Sequence, residues 1–350
     1  MSIHDEREVR KLQLVGGSTY VLSLPKKWID SMHLQTGDQV SIIKNPNNSL
    51  SLFPIGTLSS DKALRSKTII GQKDSIDSIK RKIIAIYLSG YQIIEIQTKG
   101  GRIQPIQKQA IRDLVRKNMI GTEIVESSTD SIIIQVLTSL PELSINDALK
   151  RMFLLTSTMH RDAINALRDV DIELGEEIVH MDDEVDRFSL YIMRNLTLAV
   201  QYEKILYEIG LKKSSDCLGY RVVVKCVERI ADHAVSIAKQ VKFLRSTLDL
   251  DMLQKISKLS EESLKVFEDS ISALNKRDYA LADTVASEAC KIAEKEKEFT
   301  DSLEESKKYG SIIKFVLEDI RRTAEYSSDI AEAVINETVQ DVISEKIIQK

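Results

Sequence analysis

The stretch YRVVVKCVERIADHAVSIAKQV, residues 220–241, carries apolar side chains every three or four positions, the spacing of one helix face. Glu228 and Asp232 lie within it, one helical turn apart, so their carboxylates share a face. At 100° per residue this face lies away from the centre of the apolar stripe. The stretch therefore predicts a core helix of a bundle with an acidic pair on its outer side.

The same pattern returns near the C-terminus. LEDIRRTAEYSSDIAEAV, residues 317–334, places Glu325 and Asp329 at matching positions, and the two segments align without gaps at an offset of 97 residues. The helix before each segment carries a similar element, DDEVD in the first case and EKEKE in the second. This recurrence predicts an internal repeat.

The acids have two interpretations. Two acids four residues apart most often form a solvated helix face, and Lys225, Arg321 or Arg322 could offset their charge. Recurrence at matching places of a repeat favours a shared role instead. Carboxylates from two neighbouring helices can form an all-oxygen cluster that suits magnesium, manganese, zinc or iron.

These segments resemble the E-x-x-x-D motif helices of the PhoU family, regulators of phosphate uptake. SINDALKRMFLLTSTMHRDAINAL and IVHMDDEVDRFSLYIMRNL look like the first and second helices of that family, so the resemblance covers about residues 142–345. It implies two three-helix bundles, residues 142–247 and 248–347, each with a metal cluster on its outer face. Carried over by position, the metal ligands would be Glu228, Asp232, Glu325 and Asp329, followed by Asp182, Asp186, Glu294 and Glu298.

Composition agrees with a largely helical chain. Of its 350 residues 29% are charged and five are proline, and no proline follows Pro141. From Pro141 onward the helical stripes define about six helices, with breaks near 170–175, 210–215, 247–251, 275–278 and 308–310. The net charge of −4 excludes a general polyanion binder. Three cysteines without a C-x-x-C motif, and no apolar run near the roughly 18 residues of a membrane span, predict a cytoplasmic protein that reaches membranes only through a partner.

The enzyme alternative is a ferritin-like carboxylate oxidase, which needs Glu-x-x-His on two helices. Glu177 and His180 form one such spacing, but no second copy accompanies them, and His180 lies away from the apolar stripe. No nucleophile motif, zinc-protease motif or phosphate loop occurs. The sequence therefore predicts a protein that is not an enzyme.

Residues 1–56 alternate apolar and polar side chains, with turns at Gly16-Gly17 and Pro46-Asn47-Asn48, and predict two β-hairpins joined by a helical turn. RKLQLVGGSTYVLSLPKKWIDSMHLQTGDQVSII, residues 10–43, resembles the AbrB/MazE-like swapped-hairpin family. That resemblance implies a homodimer with interlocked hairpins, and its combination with PhoU-like bundles looks archaeal. The matching DNA-contacting positions are Arg7, Arg10, Lys11, Lys26 and Lys27, although nearby acids could leave the domain a purely dimerising role.

Residues 57–138 predict strands and helices in the order β-α-β-α-β-β, a small two-layer α/β domain of unknown role. The whole chain is thus expected to be a regulator of phosphate homeostasis with an all-β, an α/β and an all-α part. Its expected partners are a second copy, DNA, and a phosphate transporter ATPase subunit or a signalling kinase. The alternative is an adaptor that docks the transporter or kinase without binding DNA.

Overall fold

A computed structural model describes residues 8–44, 48–54, 64–137, 143–303 and 309–343. The chain divides into two compact units, residues 1–63 and residues 64–350. The α/β domain and the helices share the second unit. The predicted boundaries at residues 56, 138 and 247 stay predictions.

The N-terminal unit consists of two antiparallel hairpins with a short helix between them, as predicted. Strands β1 (Gln13–Val15) and β2 (Thr19–Val21) form the first, and β3 (Val40–Lys44) and β4 (Leu50–Pro54) the second, on either side of α1 (Lys26–Ser31). Gly16 and Gly17 both have positive φ in the first turn, a conformation that glycine adopts without strain. Among the residues described in this unit, no side chain is buried.

The second unit begins with a four-stranded sheet in the order β5-β6-β8-β7, in which the first pair is parallel and the others are antiparallel. Two helices cover one face of the sheet, and alternate isoleucines of the strands pack beneath them. This confirms the two-layer α/β prediction. The elements are β5 (Arg65–Ile70), α2 (Ile76–Leu88), β6 (Ile93–Thr98), α3 (Pro105–Asn118), β7 (Thr122–Ser127) and β8 (Ser131–Val136).

The helical region forms two sets of three long helices around one continuous core. Helices α4, α5 and α7 pack against one another, and so do α8, α9 and α10, while α7 and α10 join the two sets. Ser144 caps α4 by accepting a hydrogen bond from Asp147 N at 3.0 Å, as predicted. The elements are α4 (Ile145–Asp169), α5 (Ile172–Gln201), the short α6 (Glu203–Glu208), α7 (Asp216–Gln240), α8 (Leu250–Lys276), α9 (Tyr279–Ser302) and α10 (Gly310–Val342).

The first turn of each set shows the duplication in detail. Val170 and Arg277 end the first helices in the left-handed conformation, with φ of 56° and 53°. An aspartate follows each of them, Asp171 or Asp278, and its side chain accepts a hydrogen bond from the backbone three residues on. The offset between these turns is 107 residues rather than 97, because the first repeat carries α6 as an insertion before its motif helix.

Arg194 of α5 fastens the α/β domain to the first bundle. Its buried guanidinium donates to the carbonyl oxygens of Tyr87 and Gly90 at the C-terminal end of α2, and stacks over the Tyr87 ring at 4.7 Å. A cation at a helix C-terminus is favourable because carbonyls without helical partners point there. Gly90 has φ of 94°, a left-handed conformation that favours glycine, and a Cβ there would come within 2.7 Å of the tip of the Leu198 side chain.

A candidate cation site on the helical repeats

The first repeat gathers four carboxylates on its outer face. Asp182 and Asp186 lie one turn apart on α5, and Glu228 and Asp232 lie one turn apart on the neighbouring α7. Each pair is offset from the buried stripe of its helix, so all four side chains are kept out of the core. The structure therefore brings together the acids that were predicted for the first cluster.

The carboxylates are close enough to affect one another's ionisation. Burial raises the pKa of Asp182 to about 7, and the negative charges of Asp186, Asp232 and Glu228 add to the effect. Burial and the charges of Glu228 and Asp232 raise the pKa of Asp186 to about 6, against a lowering effect of Lys225. Desolvation by the surrounding protein, followed by Glu228, also raises the pKa of Asp232. The charged forms of Asp182, Asp186 and Asp232 are therefore disfavoured in this cluster.

The carboxylate oxygens are suitable ligands for a hard cation, but they are not arranged in a complete coordination shell. Oδ1 of Asp182 is buried and has no hydrogen-bond partner, so one carboxylate oxygen is available without breaking a bond. Glu228 is engaged in an ion pair with Lys225. Within the described ranges, no three Asp, Glu, His or Cys side chains are already arranged to hold a metal ion. Binding there would require the carboxylates to close around the ion.

The second repeat does not gather its predicted acids. Glu294 and Glu298 are exposed, and Glu298 lines a groove between α8 and α9 rather than facing α10. The acid of α9 that faces α10 is Glu296, which continues the buried stripe of its helix and approaches Arg321 at 3.4 Å. The expected second cluster is corrected accordingly, because Glu294 and Glu298 lie about 200° around the helix from Glu296.

Glu325 and Asp329 have basic neighbours. Glu325 is ion-paired with both Arg321 and Arg322. The pKa of Asp329 is raised, mainly by desolvation and then by the charge of Glu332, and the nearby Arg229 of α7 offsets part of this rise. In this repeat the motif acid Glu325 thus already has cations of its own.

A polar seam between the two motif helices was not predicted. His233 Nδ1 of α7 lies 2.7 Å from Asp319 Oδ1 of α10, and its ring stacks on Tyr326 at 5.7 Å. Together with the proximity of Cys226 to Asp329, these contacts show that α7 and α10 run antiparallel. The sequence contains one weak signal for this contact, which is the acidic Asp319 on the otherwise apolar buried face of α10. Its partner lies on the other repeat and could not be identified from the sequence.

The two histidines of the first bundle that lie outside the acid cluster and the polar seam differ in exposure. His180 is exposed, as expected for a surface residue. The buried His160 instead lies 2.8 Å from Ser260 and joins α4 to α8, and burial lowers its pKa to about 4. None of the helices in the described parts of the chain combines the length and apolar character of a membrane span.

The basic residues of the N-terminal unit are on its surface where they are described. Lys11, Lys26 and Lys27 are exposed, and Arg10 is ion-paired with Glu8. Arg7 lies outside the described residues. The positions are compatible with a contact surface for DNA, which stays a prediction.

Similarity to known proteins agrees with the geometry. Residues 149–241 and 256–334 match the PhoU domain, and residues 13–58 match the MazE antitoxin domain, described as antidote-toxin recognition. The phosphate-specific transport system accessory protein PhoU homolog 1 of Thermotoga maritima is 25% identical over 204 residues, covering 54% of this chain and 83% of that protein. The corresponding homolog of Clostridium acetobutylicum is 24% identical over 133 residues, covering 38% of this chain and 59% of that protein.

A solved structure is also similar. The phosphate transport system regulatory protein PhoU from Streptococcus pneumoniae aligns with a TM-score of 0.48 and 20% identity, over 57% of this chain and 96% of that one. The two matched PhoU segments coincide with the two helical repeats, and the MazE match spans both hairpins. The helical repeats carry PhoU domains, and the N-terminal unit carries a MazE-like domain.

Proposed function

We propose that this protein regulates phosphate transport, and that a metal cation bound by the first repeat is part of the regulation. The regulatory role is supported by the names of the two relatives, which are accessory proteins of phosphate-specific transport systems. The observation that carries the cation proposal is that Asp186, Glu228 and Asp232 lie near enough to Asp182 to raise its pKa, while Asp182 has a buried oxygen with no hydrogen-bond partner. Magnesium, manganese, zinc and iron all accept such ligands.

The N-terminal unit is proposed to dimerise the chain. Leu14, Tyr20 and Ile42 are 57%, 71% and 62% exposed, although they occupy strand positions that normally face a core. A unit of about fifty residues with no buried side chain in its described part cannot be stable by its own packing. A second copy would cover these side chains by interlocking its hairpins with theirs.

DNA binding by the dimer is the finer part of the proposal. Lys11, Lys26 and Lys27 would contact phosphates, together with Arg10 once it leaves Glu8, and dimerisation would double the patch. The competing function is an adaptor that docks a phosphate transporter ATPase subunit or a signalling kinase and does not bind DNA. A carboxylate-metal enzyme is the weakest alternative, because the PhoU family is regulatory.

Metal analysis tests the cation site. The protein is dialysed against MnCl₂, and the bound metal is measured for the wild type and for Glu228→Gln/Asp232→Asn. Loss of metal with unchanged helical circular dichroism is the expected result. Equal metal content in both proteins would return these acids to the role of a solvated helix face.

A gel shift with the upstream region of the protein's own coding sequence separates the two regulatory functions. DNA binding predicts a complex that weakens with added salt and with Lys26→Ala/Lys27→Ala, since each phosphate contact releases counterions. Lys44→Ala, an exposed base of β3 outside the predicted surface, is the matched control. A salt-independent complex, or none, favours the adaptor.

A further inference from the structure

We infer that the guanidinium of Arg321, one turn from the motif acid Glu325, serves as the built-in cation of the second repeat, and that this repeat therefore takes no metal ion. The inference concerns the second repeat alone and goes beyond the proposed function. It does not require that the first repeat binds metal.

Three carboxylates from two helices converge on Arg321. Its Nε lies 3.4 Å from Glu296 Oε2 of α9, its Nη2 lies 3.7 Å from Glu318 Oε1, and its Nη1 bonds Glu325. The side chain is only 23% exposed. A guanidinium presents five N–H donors in a fixed plane and suits several carboxylates at once.

The carboxylate oxygens here are already engaged. Glu296 accepts from Thr300 Oγ1 at 2.7 Å through Oε1, and faces Arg321 through Oε2. Glu325 accepts from Arg321 through Oε1 and from Arg322 through Oε2, the latter at 3.0 Å. A metal ion would have to displace these hydrogen bonds before it could bind. Asp182 of the first repeat offers instead a buried oxygen with no partner.

The charge balance points the same way. Two guanidiniums, Arg321 and Arg322, face the three carboxylates of Glu296, Glu318 and Glu325. In the first repeat the ammonium groups of Lys225 and Lys239 act on a cluster of four carboxylates, and Lys225 is ion-paired with Glu228. A divalent cation is therefore attracted more strongly to the carboxylates of the first repeat than to those of the second repeat, where the arginines compensate more of the negative charge.

The two bundles therefore differ in what joins their second and third helices. In the second repeat α9 and α10 are linked by the ion pair between Glu296 and Arg321, and the cation of this pair cannot dissociate because it is a side chain of the protein. In the first repeat α5 and α7 would be linked by a bound metal ion, which can dissociate. Added Mn²⁺ should thus slow amide exchange in α5 and α7 and leave α9 and α10 unchanged.

Metal stoichiometry tests the inference directly. After dialysis against MnCl₂, the variant Glu325→Gln/Asp329→Asn should keep the metal content of the wild type. A drop in metal content in this variant would overturn the inference, because it would show that the second motif binds metal.

A second arm works in EDTA and needs no metal. Arg321→Leu should lower Tm by roughly 4 °C, because it leaves a buried glutamate uncompensated. Combining it with Glu296→Gln should cost less than the sum of the two single changes. Arg322→Leu is the matched control, since Arg322 contacts Glu318 and Glu325 on its own helix, whereas Arg321 is the arginine that reaches Glu296. Additive losses for Arg321 and Glu296 would overturn the inference.

The two arms separate the proposals. A wild type that binds no Mn²⁺ would refute the cation site of the first repeat. The coupling between Arg321 and Glu296 would still decide whether the guanidinium is the cation of the second repeat.

Discussion

Asp182→Asn is expected to stabilise the metal-free protein, and to do so more at pH 8 than at pH 5. The pKa of Asp182 is raised from 3.8 to about 7 in the folded state. Because the folded carboxyl holds its proton to a higher pH than the unfolded one, stability falls as the pH rises from about 4 to about 7. Asparagine has no proton to lose and escapes this cost.

The size of the effect follows from the same pKa. A rise of about 3 pH units corresponds to at most about 4 kcal/mol, at about 1.4 kcal/mol per unit. The carboxyl is partly exposed, and solvent screening reduces this to about 2 kcal/mol at pH 8. At pH 5 the folded carboxyl is still protonated, so less than half of the gain is expected there.

Urea denaturation in EDTA at the two pH values measures the difference. Glu176→Gln is the control, because Glu176 is an exposed acid of the same helix. Equal stabilisation by Asp182→Asn at both pH values, or destabilisation at pH 8, would refute the electrostatic account of the first cluster. Added Mn²⁺ should reverse the order, making the wild type the more stable protein at pH 8.

Three further changes test other parts of the structure. Ser144→Ala removes the cap of α4 and should cost about 1 kcal/mol in thermal denaturation. Arg194→Met leaves the buried Gly90 carbonyl without its donor and removes one of the two donors to the Tyr87 carbonyl, and should cost about 2 kcal/mol, with faster amide exchange in the α/β domain. Leu14→Asp in β1 should turn a dimer into a monomer in light scattering, because it places a charge among the side chains that a second copy would cover.

Each of these has a matched control on the same protein. Thr158→Ala on α4, Arg168→Met at the exposed end of α4 and Leu250→Asp at the exposed start of α8 should change little. A Ser144 or Arg194 variant no less stable than its control would contradict the assigned hydrogen bonds. A dimer that survives Leu14→Asp would contradict dimerisation through the first hairpin.

The fold was largely predictable because its signals are local. Apolar spacing fixed the six long helices, and the predicted breaks near residues 170 and 277 fall at left-handed residues followed by capping aspartates. The short helix α6 was not foreseen, since it has only six residues and no proline marks its start.

The site was predictable only in part, because its chemistry depends on contacts between helices. Spacing placed Glu228 and Asp232 on one face, where they affect the ionisation of Asp186, and a metal site there stays a prediction. In the second repeat, resemblance pointed to Glu294 and Glu298, whereas the phase of the buried stripe in α9 pointed to Glu296. Arg321 was visible as a nearby base, but its reach to another helix requires three-dimensional packing.

The unburied hairpins have a consequence for how the protein would respond to its own abundance. A unit whose packing must come from another molecule has a folding equilibrium that shifts with chain concentration. Dilution would then unfold the N-terminal unit, residues 1–63, and leave the helical repeats intact, because the helices have an extensive core of their own. The expression level of the protein would then set the fraction of folded N-terminal units, and with it the extent of whatever function the hairpins perform.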